Sequence, residues 1–286
     1  MQNFQGTIGG EVTVSGIGVH GGKPAAVTFL PAEVNTGIVF QRADIDGSPW
    51  VPAHVEQIGA TDLCTSIGAR AARIDTIEHL MAAVTALGID NLRVRVSGPE
   101  VPILDGSSRE YVAAFARVGL VQQEVRRRYL RILKPVRVEA GSSWGEFRPY
   151  DGTRYEVEID FDVAVIGRQK FAGDMSAEVF SREIADARTF GFMKDVARLH
   201  AAGLALGASL DNTVAIGEDN QVMNPEGLRF ADEFVRHKTL DAVGDLALAG
   251  MPFIGCYASY RGGHRLNSEA VKALLADASA YEIVQG

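Results

Sequence analysis

The order of the apolar patterns constrains this chain most: short strands followed by helices, and then the same order again. Val12, Val14, Ile17 and Val19 alternate around Gly16 and Gly18, residues 26–30 end at Pro31, and residues 37–40 follow. Such β-rich runs bounded by Gly, Pro and Asn predict an antiparallel sheet. Over 75–88 the period becomes helical, with Ile77, Leu80, Met81, Val84 and Leu87 on one stripe and Gly88 as a C-terminal stop. Residues 91–96 alternate as a half-buried strand, and 107–118 reads as a second helix. The second half gives strands over 129–161, an insertion, strands over 212–223, a helix over 232–249, a strand over 252–260 and a helix over 268–276. Matching order in both halves predicts an α+β protein of two similar two-layer α/β-sandwich domains packed on each other. The boundaries are 1–124 and 129–286. The polar segment between them, with Arg126, Arg127 and Arg128, reads as a solvated linker rather than a phosphate patch.

Composition removes several function classes. A chain of 286 residues has room for about two domains. Lys plus Arg is 28 against 36 Asp plus Glu, so the net charge of −8 argues against a nucleic-acid partner, which needs a basic face. With two cysteines, Cys64 and Cys256, neither a disulfide framework nor a four-cysteine zinc site can form. No apolar run reaches the ~18 residues a membrane span needs, and the N-terminus lacks a signal-peptide core. The expectation is a monomer in a reducing cytoplasm, with no second fused enzyme after the last helix.

The chemistry concentrates around three of six histidines. His237 and Asp241 are four apart in a helical pattern and lie on one face, in a stripe with Phe230, Phe234, Asp245 and Leu248. A core stripe bearing an imidazole and two carboxylates needs partners or a metal, although a surface His–Asp pair gives the same spacing. Glu78 and His79 open the earlier helix. Asp75 with Glu78 also reads as a capping box, which alone accounts for Glu78. The His-Glu-x-x-His pattern of zinc peptidases is absent. His79 with His237 and Asp241 makes two histidines and one carboxylate, a catalytic type of zinc set with a position open for water. His264, in the glycine-flanked loop Gly262-Gly263-His264-Arg265, is a natural proton donor if it faces that set.

Longer motifs add to this. Residues 15–24 read Ser-Gly-Ile-Gly-Val-His-Gly-Gly-Lys-Pro, 76–83 Thr-Ile-Glu-His-Leu-Met-Ala-Ala, and 88–91 Gly-Ile-Asp-Asn. Residues 98–107 read Gly-Pro-Glu-Val-Pro-Ile-Leu-Asp-Gly-Ser, 187–192 Ala-Arg-Thr-Phe-Gly-Phe, and 232–238 Asp-Glu-Phe-Val-Arg-His-Lys. In these motifs, from about residue 5 to 283, the chain resembles the UDP-3-O-acyl-N-acetylglucosamine deacetylase family, the zinc amidohydrolases that commit bacteria to lipid A synthesis. The resemblance implies one Zn²⁺ per chain held by His79, His237 and Asp241. It implies Glu78 as general base, His264 as general acid with Asp245 orienting it, and Thr189 supporting the oxyanion. Lys238 falls where the family contacts substrate, and Asp160 and Phe161 fall near its uracil, though a buried strand Phe reads the same way. Cys64 lies near the site mouth and is given no chemistry. Each domain is expected to carry an insert, near 42–64 and 163–210.

The second insert is unusually apolar. Phe190, Phe192, Met193, Val196, Leu199, Leu204, Leu206, Leu210 and Val214 exceed what a short segment needs for its own packing. A small satellite core would use the same residues. The resemblance implies instead a passage for the substrate's fatty chain, contacted by Phe190, Phe192 and Leu199.

Overall fold

The protein is described by a computed structural model covering residues 2–286. It is an α+β fold. The first half builds a five-stranded sheet in the order Val12–Ile17, Pro24–Pro31, Leu92–Val96, Ile38–Arg42, Val51–Pro52. Leu92–Val96 alternates strictly between buried and exposed side chains, as a strand with one face on the core must. The second half builds a seven-stranded sheet. Its main path runs Arg168–Asp174, Thr153–Asp160, Phe253–Tyr260, Ser143–Arg148, Val136–Ala140, and Arg128–Ile132 with Tyr281–Gln285 extends it beside Phe253–Tyr260. The helices are α1 (Glu78–Ala86), α2 (Arg109–Val118), the single turn α3 (Ala177–Val179), α4 (Met193–Ala201), α5 (Glu233–Leu246) and α6 (His264–Ala276). One continuous apolar core joins both halves.

Several expectations change at element ends. The segment read as a linker is a strand, Leu120–Arg126, paired antiparallel with the N-terminal strand Phe4–Ile8. Its polarity belongs to an exposed face rather than to a loop. Arg127 is buried on Asp90 at 2.8 Å, and Arg126 lies over the Phe4 ring, so neither arginine is simply solvated. The edge strands Phe4–Ile8 and Tyr281–Gln285 lacked a legible pattern, and strand structure in 212–223 shrinks to Val214–Ile216. Phe230 precedes α5 rather than continuing its stripe. The region read as the second insert contributes Arg168–Asp174 to the main sheet before it departs.

α1 ends as predicted, in a Schellman turn: Gly88, at φ 76°, donates to the Thr85 carbonyl, and the Ile89 N–H reaches the Val84 carbonyl. Its start differs. The capping box does not form, because the helix begins at Glu78 with Ile77 at the cap, and the Asp75 carboxylate is held by Arg73 at 2.6 Å. From Glu78 to Val84 every residue of α1 is buried, which is possible because α5 covers it. The crossing is tight: a Cβ on Gly244 would lie 2.0 Å from the Glu78 carbonyl oxygen. Gly244→Ala is therefore expected to destabilise the protein by about 1–3 kcal/mol, as overpacking does. Denaturant unfolding checks this; an unchanged midpoint would mean that the helices can part without cost.

Candidate metal centre and its cavity

The crossing of α1 and α5 brings the chemistry together. His79 is the second residue of α1, and His237 and Asp241 lie one turn apart on α5. Both imidazole Nε2 atoms face one oxygen, Asp241 Oδ1, at 3.6 Å for His79 and 3.4 Å for His237. Ligand atoms of all three residues lie within 4.8 Å of one another, and all three residues are buried. Asp241 Oδ1 has no hydrogen-bond donor. Leaving a buried carboxylate oxygen unmatched is costly, and donors 3.4–3.6 Å apart suit a centre ~2.0–2.2 Å from each. The set fits a divalent metal.

Supporting contacts fix these side chains. His237 Nδ1 donates to the Ala187 carbonyl at 3.0 Å, which directs Nε2 inward. Burial lowers the His237 pKa to about 3 despite Asp241, so it is neutral, as a ligand must be. Asp241 Oδ2 accepts Lys238 Nζ at 2.7 Å. Burial alone would raise the Asp241 pKa, but His237 and Lys238 hold it well below the usual carboxylate range.

Glu78 and His264 flank the triad. Glu78 Oε2 accepts the Thr65 N–H at 3.0 Å, and Oε1 lies 3.9 Å from His264 Nε2. Burial raises the Glu78 pKa, and the imidazoles of His264 and His79 only partly offset it. His264 is the first residue of α6 rather than a loop residue, so its Nδ1 donates to Asp245 Oδ2 at 2.9 Å from a rigid element. Burial opposes its charge, as do the amide ends of α6. The Asp245, Asp241 and Glu78 carboxylates outweigh burial and push the pKa up to about 9. Thr76, just ahead of α1, holds φ 62°, a strained conformation for a β-branched residue, and its hydroxyl is tied to Glu100 at 3.1 Å.

A cavity of about 760 Å³ opens from this cluster, lined by Glu78, His79, His237, Lys238, Asp241 and His264, together with Thr189. Phe190, Phe192 and Leu199 line it as well, with the Phe190 ring centre 6.3 Å from that of His237. These three belong to the segment read as a second insert, and residues 206 and 207 of the same segment donate to the carbonyls of His20 and Val19 in the first half. Asp160 and Phe161 do not line the cavity. Asp160 accepts the Tyr260 hydroxyl at 2.6 Å, and Phe161 packs edge-on against Phe190 with ring centres 5.7 Å apart. Burial pushes the Cys64 thiol up to about 12, in keeping with its having no assigned chemistry.

The family model for LpxC, UDP-3-O-acyl N-acetylglycosamine deacetylase, matches residues 5–276. The chain belongs to this deacetylase family. It is 70% identical over 285 residues to the UDP-3-O-acyl-N-acetylglucosamine deacetylases of Brucella ovis and Brucella abortus, with 100% of both chains covered. The Brucella melitensis biotype 2 deacetylase is 69% identical over the same length. Membership of the LpxC family agrees with the resemblance read from the motifs, and a metalloenzyme family agrees with the donor set.

Sequence reasoning missed several supports of the deacetylase-family site. Arg188, 1% exposed, is paired with Glu233 at 2.9 Å and fixes the segment that carries the Ala187 carbonyl and Thr189. Asn267 donates to Asp245 Oδ2 at 2.8 Å. Thr65 reaches both Glu78 and Asp245. No spacing flags these residues, since each partner lies on a different element.

Proposed function

We infer that the protein is a zinc-dependent amidohydrolase that removes the acetyl group from UDP-3-O-(3-hydroxyacyl)-N-acetylglucosamine and releases acetate, the committed step of lipid A biosynthesis. Family membership supports the substrate. The observation that carries the chemistry is the convergence of two imidazoles and an undonated carboxylate oxygen with Glu78 and His264 at the head of one cavity. His79, His237 and Asp241 hold one metal ion per chain, and a monomer in the cytoplasm completes the proposal.

A bound zinc ion supplies Lewis-acid chemistry, polarising a carbonyl and acidifying water to a pKa of about 7. Glu78 Oε1 takes the proton of the attacking water, while the Thr65 N–H on Oε2 keeps the carboxylate turned toward the cavity. His264 Nε2, with Asp245 holding its other nitrogen, gives a proton to the departing amine. Thr189 steadies the developing oxyanion, and Lys238 holds Asp241 and meets the substrate. Phe190, Phe192 and Leu199 receive the acyl chain, and Asp160 and Phe161 act from behind them toward the uridine end. The deciding assay is acetate release from the nucleotide substrate with and without chelator, alongside metal analysis. Chelator-sensitive release supports the reading. Full activity in a metal-free protein removes the metal mechanism, and binding without release makes the protein a carrier of the sugar nucleotide.

The pH profile follows from the same groups. Glu78 works deprotonated, and burial raises its pKa, so activity falls as pH drops through a value above the ordinary carboxylate range. His264 works protonated, so activity falls as pH rises through about 9. The curve is expected to be bell-shaped, and His264→Ala should lower the rate and flatten the basic limb. An unchanged basic limb in that variant would assign the proton donor elsewhere.

A further inference from the structure

Thr65 lies in the segment ahead of α1, 1% exposed, and uses every polar atom it has. Its N–H donates to Glu78 Oε2 at 3.0 Å, and its carbonyl accepts the Ile77 N–H at 3.2 Å at the start of α1. Its hydroxyl donates to Asp245 Oδ1 on α5 at 2.5 Å. The other oxygen of Asp245 accepts His264 Nδ1 and Asn267 Nδ2, and Asn267 is fixed in turn by the Tyr257 hydroxyl at 2.8 Å. A single residue therefore touches the carboxylate on one side of the reacting bond and the carboxylate behind the imidazole on the other. Backbone bonds hold Thr65 to α1, so the hydroxyl is what ties the Glu78 end to the His264 end.

We propose that Thr65 is a positioning residue whose hydroxyl locks Asp245, and through it His264, in register with Glu78. Rigid placement matters because small errors in the position of a reacting group are costly in rate. The proposal rests on the deacetylase reading. Its test compares Thr65→Val, which removes the hydroxyl at nearly constant shape, with Thr65→Ser, which keeps it. The valine protein should lose about 10- to 100-fold in kcat, the usual cost of removing an orienting partner, with KM and metal content unchanged. Serine should restore most of the rate. Because the hydroxyl acts through His264, the valine substitution should cost little more in a His264→Ala background. The inference is overturned by a valine protein of wild-type kcat, by a serine protein as slow as the valine one, or by full additivity with His264→Ala. If valine prevents folding, Thr65→Ser is set against Thr65→Ala, and an alanine kcat that merely tracks the folded fraction also overturns it. Glu78→Ala run in parallel separates the two failures: its retaining full rate would sink the deacetylase mechanism itself, whereas a slow Glu78→Ala beside a normal Thr65→Val sinks only this proposal.

Discussion

Glu78→Ala is expected to keep its metal and lose about 10²–10⁴ in kcat, the range removed with a general base. The carboxylate lies beside the cluster of His79, His237 and Asp241 without belonging to it: its oxygens face the Thr65 amide and, at 3.9 Å, His264. His79→Ala, His237→Ala and Asp241→Ala should instead lose metal and activity together. The contrast is informative because Glu78 and His79 are adjacent in sequence. Helical geometry turns one side chain toward α5 and the other toward the cavity and His264. Metal content measured beside turnover checks both statements. Wild-type turnover in Glu78→Ala would leave its carboxylate with a purely structural part, and it has no capping role to fall back on, since Ile77 is the cap and bears no side-chain acceptor.

Removing the acyl chain from the substrate is expected to lower kcat/KM by orders of magnitude. None of the residues of α4 is buried, yet Val196 and Leu199 line the cavity together with Phe192. A satellite core would have buried them against one another. α4 leaves its apolar face open, which suits a ligand that brings its own hydrocarbon. Each methylene buried contributes up to ~0.8 kcal/mol, so a chain of about ten supplies several kcal/mol even after ordering costs. Remote binding of this kind can hold the acetamide at the reacting groups and so raise the rate rather than only the affinity. Leu199→Glu should weaken long-chain substrates selectively and leave metal content alone. Equal kcat/KM for substrates with and without the chain would make the insert a packing element only.

The sequence carried most of the layout because the patterned elements are those with one face on the core. The strand Leu92–Val96, helices α1 and α5, and the strand Phe253–Tyr260 were legible from periodicity. What periodicity missed has a common cause. Leu120–Arg126 and Tyr281–Gln285 expose much of their length, Phe4–Ile8 buries polar Gln5 and Thr7 and so shows no apolar alternation, and all three draw their order from pairing with residues over a hundred positions away. The helical spacing of His237 and Asp241 was legible but equally fits a surface pair, and it was the motifs that implied the metal set with His79 and the roles of Glu78 and His264. The supports were not legible. Thr65 to Asp245 spans 180 residues and Arg188 to Glu233 spans 45, and neither partner sits in a pattern that names the other. His264 was misread as a loop residue because Gly262 and Gly263 look like a turn, whereas Gly263 caps α6 and His264 begins it.

The close approach of Gly244 to the Glu78 carbonyl has a consequence for how the protein matures. His79 comes from one half of the chain and His237 with Asp241 from the other, so no translation intermediate that ends before α5 owns a complete donor set. Capture of a metal by these three residues would have to follow the docking of the two halves and would then stabilise the docked form by mass action, because the unfolded chain offers no comparable site. The amide protons of α1 and α5 should accordingly exchange more slowly in the metal-loaded protein than in the stripped one. An ion held there would fasten the two halves together as well as serve the reaction.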